Sequence, residues 1–218
     1  MCKYLLCLSL ALLSVQDQAF YSQAAQDEFV HTLCYKLTNK QDTGYYLELG
    51  AWHPISINNT YALEQKHNWR GLSIDISSQF DTLWKQQRKN PLHVVDATKA
   101  DYKTLLKTYP KTIDYLSLDI NNQYVQALNK IPFDEYTFKI ITIEHDQYRH
   151  GPRIRAQERK FLHAQGYYLL CPDIQCRRGS FEDWWIHPSA FPKLLPRLQT
   201  LDLKAKHPRA VLDALSTL

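Results

Sequence analysis

From Ser22 onward, short apolar runs alternate with longer amphipathic stretches. Five of the runs, at residues 45–50, 71–76, 92–95, 114–120 and 139–144, have the length and bounding residues of buried strands. The stretches between them, at 60–67, 79–88, 102–108, 124–130 and 153–165, carry apolar positions at helical spacing. The last of these runs into Gly166, a residue suited to end a helix. Strands and helices in this alternation predict parallel βαβ units and a sheet covered on both faces. After Gly166 the rhythm changes. Residues 167–171 and the stretch around 181–185 are separated only by a short polar segment containing Gly179, which predicts an antiparallel hairpin closing the sheet edge. The expected fold class is therefore α/β and Rossmann-like: a mostly parallel sheet with helices on both faces and a C-terminal antiparallel hairpin. Residues 193–218 read as helical and basic, with no nameable chemistry.

Composition narrows this picture. A chain of 218 residues with 44% hydrophobic content supports one well-buried core, so residues 20–218 are expected to form a single domain. The net charge of +4 suits an anionic ligand, but no clustered basic surface is evident, and a nucleic-acid partner is not expected. Five cysteines (Cys2, Cys7, Cys34, Cys171 and Cys176) show neither a CxxC pair nor a metal spacing. Their odd number argues against a disulfide framework. Cys171 and Cys176 are the two that a hairpin would bring across from each other. Residues 1–19 carry Lys3 followed by an apolar run at 4–13, which reads either as a signal peptide or as an N-terminal helix docked on the domain. That run is too short for a stable membrane anchor.

In a doubly wound sheet, ligands bind at the carboxyl ends of the strands, where strand order reverses. The polar residues at the expected ends are Glu48 and Gly50 on the first strand, Asp75 on the second, Asp96 after the third, Asp119 on the fourth, and Glu144, His145 and Asp146 on the fifth. Trp52-His53-Pro54 stands where a dinucleotide-binding loop would have its second glycine, which counts against an NAD-dependent oxidoreductase.

Several of these segments together resemble the FkbM-type methyltransferases that use S-adenosylmethionine (SAM). They are Ser22-Gln23 with Gln26-Asp27-Glu28-Phe29, Leu47-Glu48-Leu49-Gly50-Ala51, and Asn58-Asn59-Thr60-Tyr61-Ala62-Leu63-Glu64 with Trp69-Arg70-Gly71-Leu72. Asp114-Tyr115-Leu116-Ser117-Leu118-Asp119-Ile120 and Ile141-Thr142-Ile143-Glu144-His145 continue the likeness, which spans residues 22–173. The resemblance implies a class I methyltransferase fold and transfer of methyl to oxygen on sugars or other small hydroxylated compounds. On that reading Gly50 lets the backbone approach the cofactor and Glu48 meets its cationic amino end. Asp75 accepts from the ribose hydroxyls, and Asp96 faces the adenine amino group. His145, Asp119 and Glu144 are the catalytic candidates, with His145 either the base, because its ordinary pKa lies near neutrality, or a cap on the strand end through a backbone hydrogen bond. A metal-assisted version places Mg²⁺ on Asp119, Glu144 and Asp146, whose oxygens suit it.

Two departures from the family pattern, Trp52-His53-Pro54 and Asn121-Asn122 after Asp119, support an alternative: a catalytically degenerate module that keeps the fold and the pocket. SAM is made in the cytosol, so a cytoplasmic location is expected unless residues 1–19 direct export. Near the expected site, residues 148–153 read as a basic, aromatic loop, either solvated or placed to recognise a carboxylate or phosphate on the acceptor. Trp184 and Trp185 would either stack on a sugar or pack the sheet edge.

Overall fold

The computed structural model describes residues 20–121, 123–145, 147–176 and 179–218. The segment 1–19 and the residues Asn122 and Asp146 lie outside the described residues. No helix among the described residues is long and apolar enough to cross a membrane.

Seven strands form one sheet: β1 (Tyr45–Leu49), β2 (Arg70–Asp75), β3 (Leu92–Val94), β4 (Thr112–Leu118), β5 (Thr137–Glu144), β6 (Tyr168–Cys176) and β7 (Gly179–Ile186). Their order across the sheet is β3-β2-β1-β4-β5-β7-β6. The first five are parallel, and β7 runs antiparallel between β5 and β6. The elements connecting or flanking them are α1 (Gln26–His31), continued by a π-helical turn at Thr32–Leu37, α2 (Tyr61–His67), α3 (Asp81–Gln87), α4 (Tyr102–Leu106), α5 (Tyr124–Leu128), α6 (Gln147–His150), α7 (Pro152–Ala164), α8 (Leu195–Leu198) and α9 (Pro208–Leu215). The strands and hairpin follow the expected alternation, with boundaries shifted by a few residues.

Strands β1, β4, β5 and β7 divide their side chains between two apolar clusters, as the twofold repeat of a β-strand requires. In β1, Leu47 and Leu49 join Leu116, Ile141, Leu162 and Trp185 on one face. Tyr46 joins Phe29, Trp69, Tyr115 and Trp184 on the other, where Val211 and Leu215 of α9 close the layer. A sheet buried on both faces leaves its edges for polar chemistry. The carboxyl edge is the one that gathers it.

Three readings left open by the sequence are decided here. Trp184 and Trp185 have no exposed surface: Trp184 stacks on Phe29 at 4.3 Å between ring centroids, and Trp185 meets His163 edge-on at 5.0 Å. They pack the sheet and are closed to a sugar. Cys171 and Cys176 lie along the same strand rather than across the hairpin, about 16 Å apart at the rise of a strand. The basic segment after His145 is not a plain loop, because Gln147–His150 forms α6 and α7 begins at Pro152.

Candidate active site

The registers place one residue from each of six strands in a row along the carboxyl edge. Leu49 pairs with Ile74 and with Leu118, Asp75 with Val94, Leu118 with Ile143, and Glu144 with Glu182. Val94, Asp75, Gly50, Asp119, Glu144 and Glu182 therefore follow one another across the sheet. Strand order reverses between β1 and β4, and a cavity of about 450 Å³ opens there. This is the crevice in which sheets of this winding hold ligands.

Gly50 is at the centre of the row. Its φ of +81° lies in the left-handed region, and an added Cβ would fall 1.7 Å from the carbonyl oxygen of Asp119. Only glycine lets β1 turn away while the end of β4 passes this close. Two residues later Trp52 is also left-handed, at φ 49°. It therefore keeps the backbone turn that a second glycine would adopt. Its N–H donates to Asp75 Oδ2 at 2.8 Å, and its ring, 46% exposed, lines the cavity and meets Phe80 edge-on. His53 fixes the same loop, accepting at Nδ1 from the N–H groups of Ile55 and Ser56.

Asp75 faces the cavity with Oδ1 held by the N–H of Ser77 at 2.7 Å. A carboxylate offers about four acceptor positions, so these two backbone bonds orient it and leave capacity for two hydroxyls. Beside it Ile76, which also lines the cavity, is 75% exposed. A large apolar side chain left open at a cavity rim suits a flat ring better than water. Sequence reasoning passed over Ile76; its signal was an apolar residue directly after a strand-terminal acid. Asp96 also lines the cavity. Its hydrogen bonds from Thr98, with Lys99 3.1 Å away, hold its carboxyl below the usual range.

Glu48 has a different setting from the one expected. It is 2% exposed and lies under the site, accepting from Ser73 Oγ at 2.6 Å, Thr60 Oγ1 at 2.9 Å and the N–H of Asn59 at 3.3 Å. Strand alternation turns it to the face of Tyr46 rather than to the edge. Its acceptor positions hold the start of α2, so its role is scaffolding rather than contact with a cofactor. The same cluster contains Arg88, whose bonds reach Glu64, Tyr46, Asn58, Thr60 and the carbonyl of Pro54.

Asp119 lines the cavity on the other side of Gly50. Glu144 accepts from Tyr124 Oη at 3.3 Å. Glu182, which sequence reasoning did not single out, is buried and accepts from Trp184 Nε1 at 2.6 Å and Gln26 Nε2 at 3.1 Å. Burial, with the charges of Asp119 and Asp183, pushes its pKa up to about 8. Raised in this way, it holds its proton more readily than its neighbours in the row, which eases the repulsion among them.

His145 does not reach the cavity. Its ring has no exposed surface, Nδ1 accepts from the N–H of Gln147 at 3.3 Å, and Nε2 faces Asp183 at 3.6 Å and Asp173 at 4.0 Å. A base must reach the proton it takes, and this ring is enclosed. It is a positioning residue at the end of β5. His145, Asp173 and Asp183 are also the one grouping of three metal-capable side chains among the described residues. Arg159 binds Asp183 through Nε and a terminal nitrogen at 2.7 and 2.8 Å, and lies 3.0 Å from Asp173. Arg155 pairs with Asp173 as well. Two guanidinium groups already supply the positive charge, so this cluster does not fit Mg²⁺. Of the expected Mg²⁺ ligands, Asp119 and Glu144 stand in the row and Asp146 lies outside the described residues.

No protein-family model and no curated protein matches the chain. Solved structures do. A Clostridium thermocellum protein assigned as an rRNA methylase superposes with a TM-score of 0.51 at 12% identity, over 77% of this chain and 97% of its own. Human methyltransferase 10 domain containing protein gives 0.51 at 12% identity over 75% and 82%. The methyltransferase domain of METTL16 gives 0.51 at 12% over 73% and 65%. At this identity the likeness is one of fold, and it includes the seven-stranded sheet that the registers describe. The chain has the Rossmann-like fold of class I SAM-dependent methyltransferases.

Proposed function

We propose that the protein is a SAM-dependent methyltransferase, related to the FkbM type, that methylates oxygen on a small hydroxylated or sugar-like acceptor. The observation that carries the reading is the row Asp75–Gly50–Asp119 around the cavity. It presents, in order, an oriented carboxylate for a diol, a close backbone approach, and an acid at the far side. The exposed apolar Ile76 beside Asp75 suits an adenine face.

SAM, when bound, supplies an electrophilic methyl group on a sulfonium. The chain's own task is to position the acceptor and take its proton. Asp119 is the residue for this, because it lines the cavity. As the acceptor oxygen would take the methyl and the carbon–sulfur bond would break to leave a neutral thioether, the hydroxyl proton would pass to the Asp119 carboxylate. Glu144, next in the row, orients the acceptor. His145 anchors the turn after β5 through its bond to the Gln147 backbone.

Trp52 favours a second reading. Its ring lines the cavity where the family has a small residue, which suits a module that binds the cofactor without turnover. Substitution separates the two. In a screen of hydroxylated and sugar acceptors with methyl-labelled SAM, Asp119→Ala is expected to lower turnover by about 100-fold or more, with SAM affinity little changed. Undiminished transfer by the variant would remove Asp119 from the mechanism. Absence of transfer by the parent chain to every acceptor would favour the binding module.

A further inference from the structure

We propose that His31, Lys66 and His67 form a binding site for a small tetrahedral oxyanion of the phosphate type. His31 lies in α1, and Lys66 and His67 end α2. His31 Nδ1, Lys66 Nζ and His67 Nε2 are each buried and have no hydrogen-bond partner. His31 as a whole is 5% exposed. The three side chains share one cluster: the imidazole rings lie 5.1 Å apart, His67 stacks on Tyr35 at 3.7 Å, Phe20 meets His31 at 5.4 Å, and Lys66 Nζ sits 3.9 Å over the Phe20 ring. None of them lines the cavity at the carboxyl edge, so the proposal stands independently of methyl transfer.

Buried polar groups are normally paired, and three unpaired nitrogens in one cluster point to an absent partner. The acids nearest Lys66 do not fill that role. The Asp27 carboxylate is taken by Ser22 and by the N–H groups of Tyr21, Ser22 and Glu28, and Glu28 pairs with Arg209. The charges acting on the two imidazoles are all basic: Lys36, Lys66 and His67 on His31, and Lys66 on His67. A cation there would meet the Lys66 ammonium and have only two ligand nitrogens. An oxyanion would accept from all three groups, and its charge would favour the protonated imidazoles. Burial, then these basic neighbours, hold His31 down to about 4 and His67 below its usual value. A bound anion reverses the direction of both shifts, so binding strengthens as pH falls toward about 6.

The test is an imidazole NMR titration of the full chain in inorganic phosphate, against chloride at equal ionic strength. The His31 midpoint is expected to rise by about two units or more at saturation, to about 6 or above, and the His67 midpoint to rise with it. A saturable gain in Tm at low millimolar phosphate should accompany this, larger at about pH 6 than at about pH 8. It should be lost in K66M and kept in Asp119→Ala. Glycerol phosphate run in parallel shows whether the free ion or a phosphorylated compound is preferred; saturation by either supports the site. Unmoved midpoints in the parent chain, or a gain in Tm that K66M retains, would overturn it.

Discussion

Gly50→Ala is expected to abolish measurable SAM binding and to destabilise the fold by about 3 kcal/mol or more. Two costs add. The backbone there has φ +81°, which a residue with a Cβ adopts at a cost of about 1 kcal/mol. The larger one is steric: the new methyl would lie 1.7 Å from a backbone oxygen of Asp119, which no side-chain rotation relieves. The end of β4 must move, and with it the contact Asp119 N–H to Leu49 O at 2.9 Å. Gly166→Ala is the control. Its φ of +83° imposes a similar backbone cost, but the nearest atom to the added carbon, His187 Nε2, lies 4.0 Å away, so a loss of only about 1 kcal/mol is expected. Urea unfolding of both variants measures the difference. Equal losses would show that the close approach of β1 and β4 contributes nothing.

Arg88→Ala is expected to cost about 3–5 kcal/mol, the range for removing one partner of a buried ion pair. Arg88 is 7% exposed and sits 4.5 Å from the Trp84 ring. Its five donors are matched by acceptors: Nε by Glu64 at 2.8 Å, and the terminal nitrogens by Pro54 O, Asn58, Tyr46 and Thr60 at 2.8–3.1 Å. Removal leaves Glu64 and Glu48 buried without their cation. Burial already raises the Glu48 pKa, and Arg88 is the largest influence opposing it. The loss should extend to function, because Pro54, Asn58 and Thr60 belong to the segment that carries Trp52 over the cavity. In a double-mutant cycle, Glu64→Gln should recover part of the stability lost in Arg88→Ala. Strict additivity of the two substitutions would mean that they do not act as a pair.

The strands and the terminal hairpin were legible because apolar runs and their spacing follow local rules. The strand ends followed from them, so Gly50, Asp75, Asp96 and Asp119 were placed correctly at one edge. Where reading failed, the cause was long-range. Glu48 stands two residues before Gly50, and only its bonds to Ser73 and Thr60, with Arg88 in the same cluster, show that it holds the scaffold. His145 follows Glu144 directly, yet its ring turns to Asp183 from β7 and away from the cavity. Trp52 looked like the loss of a glycine; the backbone angle shows that the turn survives with a different side chain. Helix α1 was seen only as a string of family-like residues, because six residues give too short a window for periodicity to speak. Glu182 became notable only once the register set it beside Glu144.

The most direct test of the account is calorimetric titration of SAM into the full chain, repeated with Asp75→Ala. The account predicts saturable binding at one site, weakened about 10-fold to 100-fold by loss of the carboxylate that would accept from the ribose. A folded chain that takes up no SAM, or an Asp75→Ala variant that binds as tightly as the parent, would contradict it.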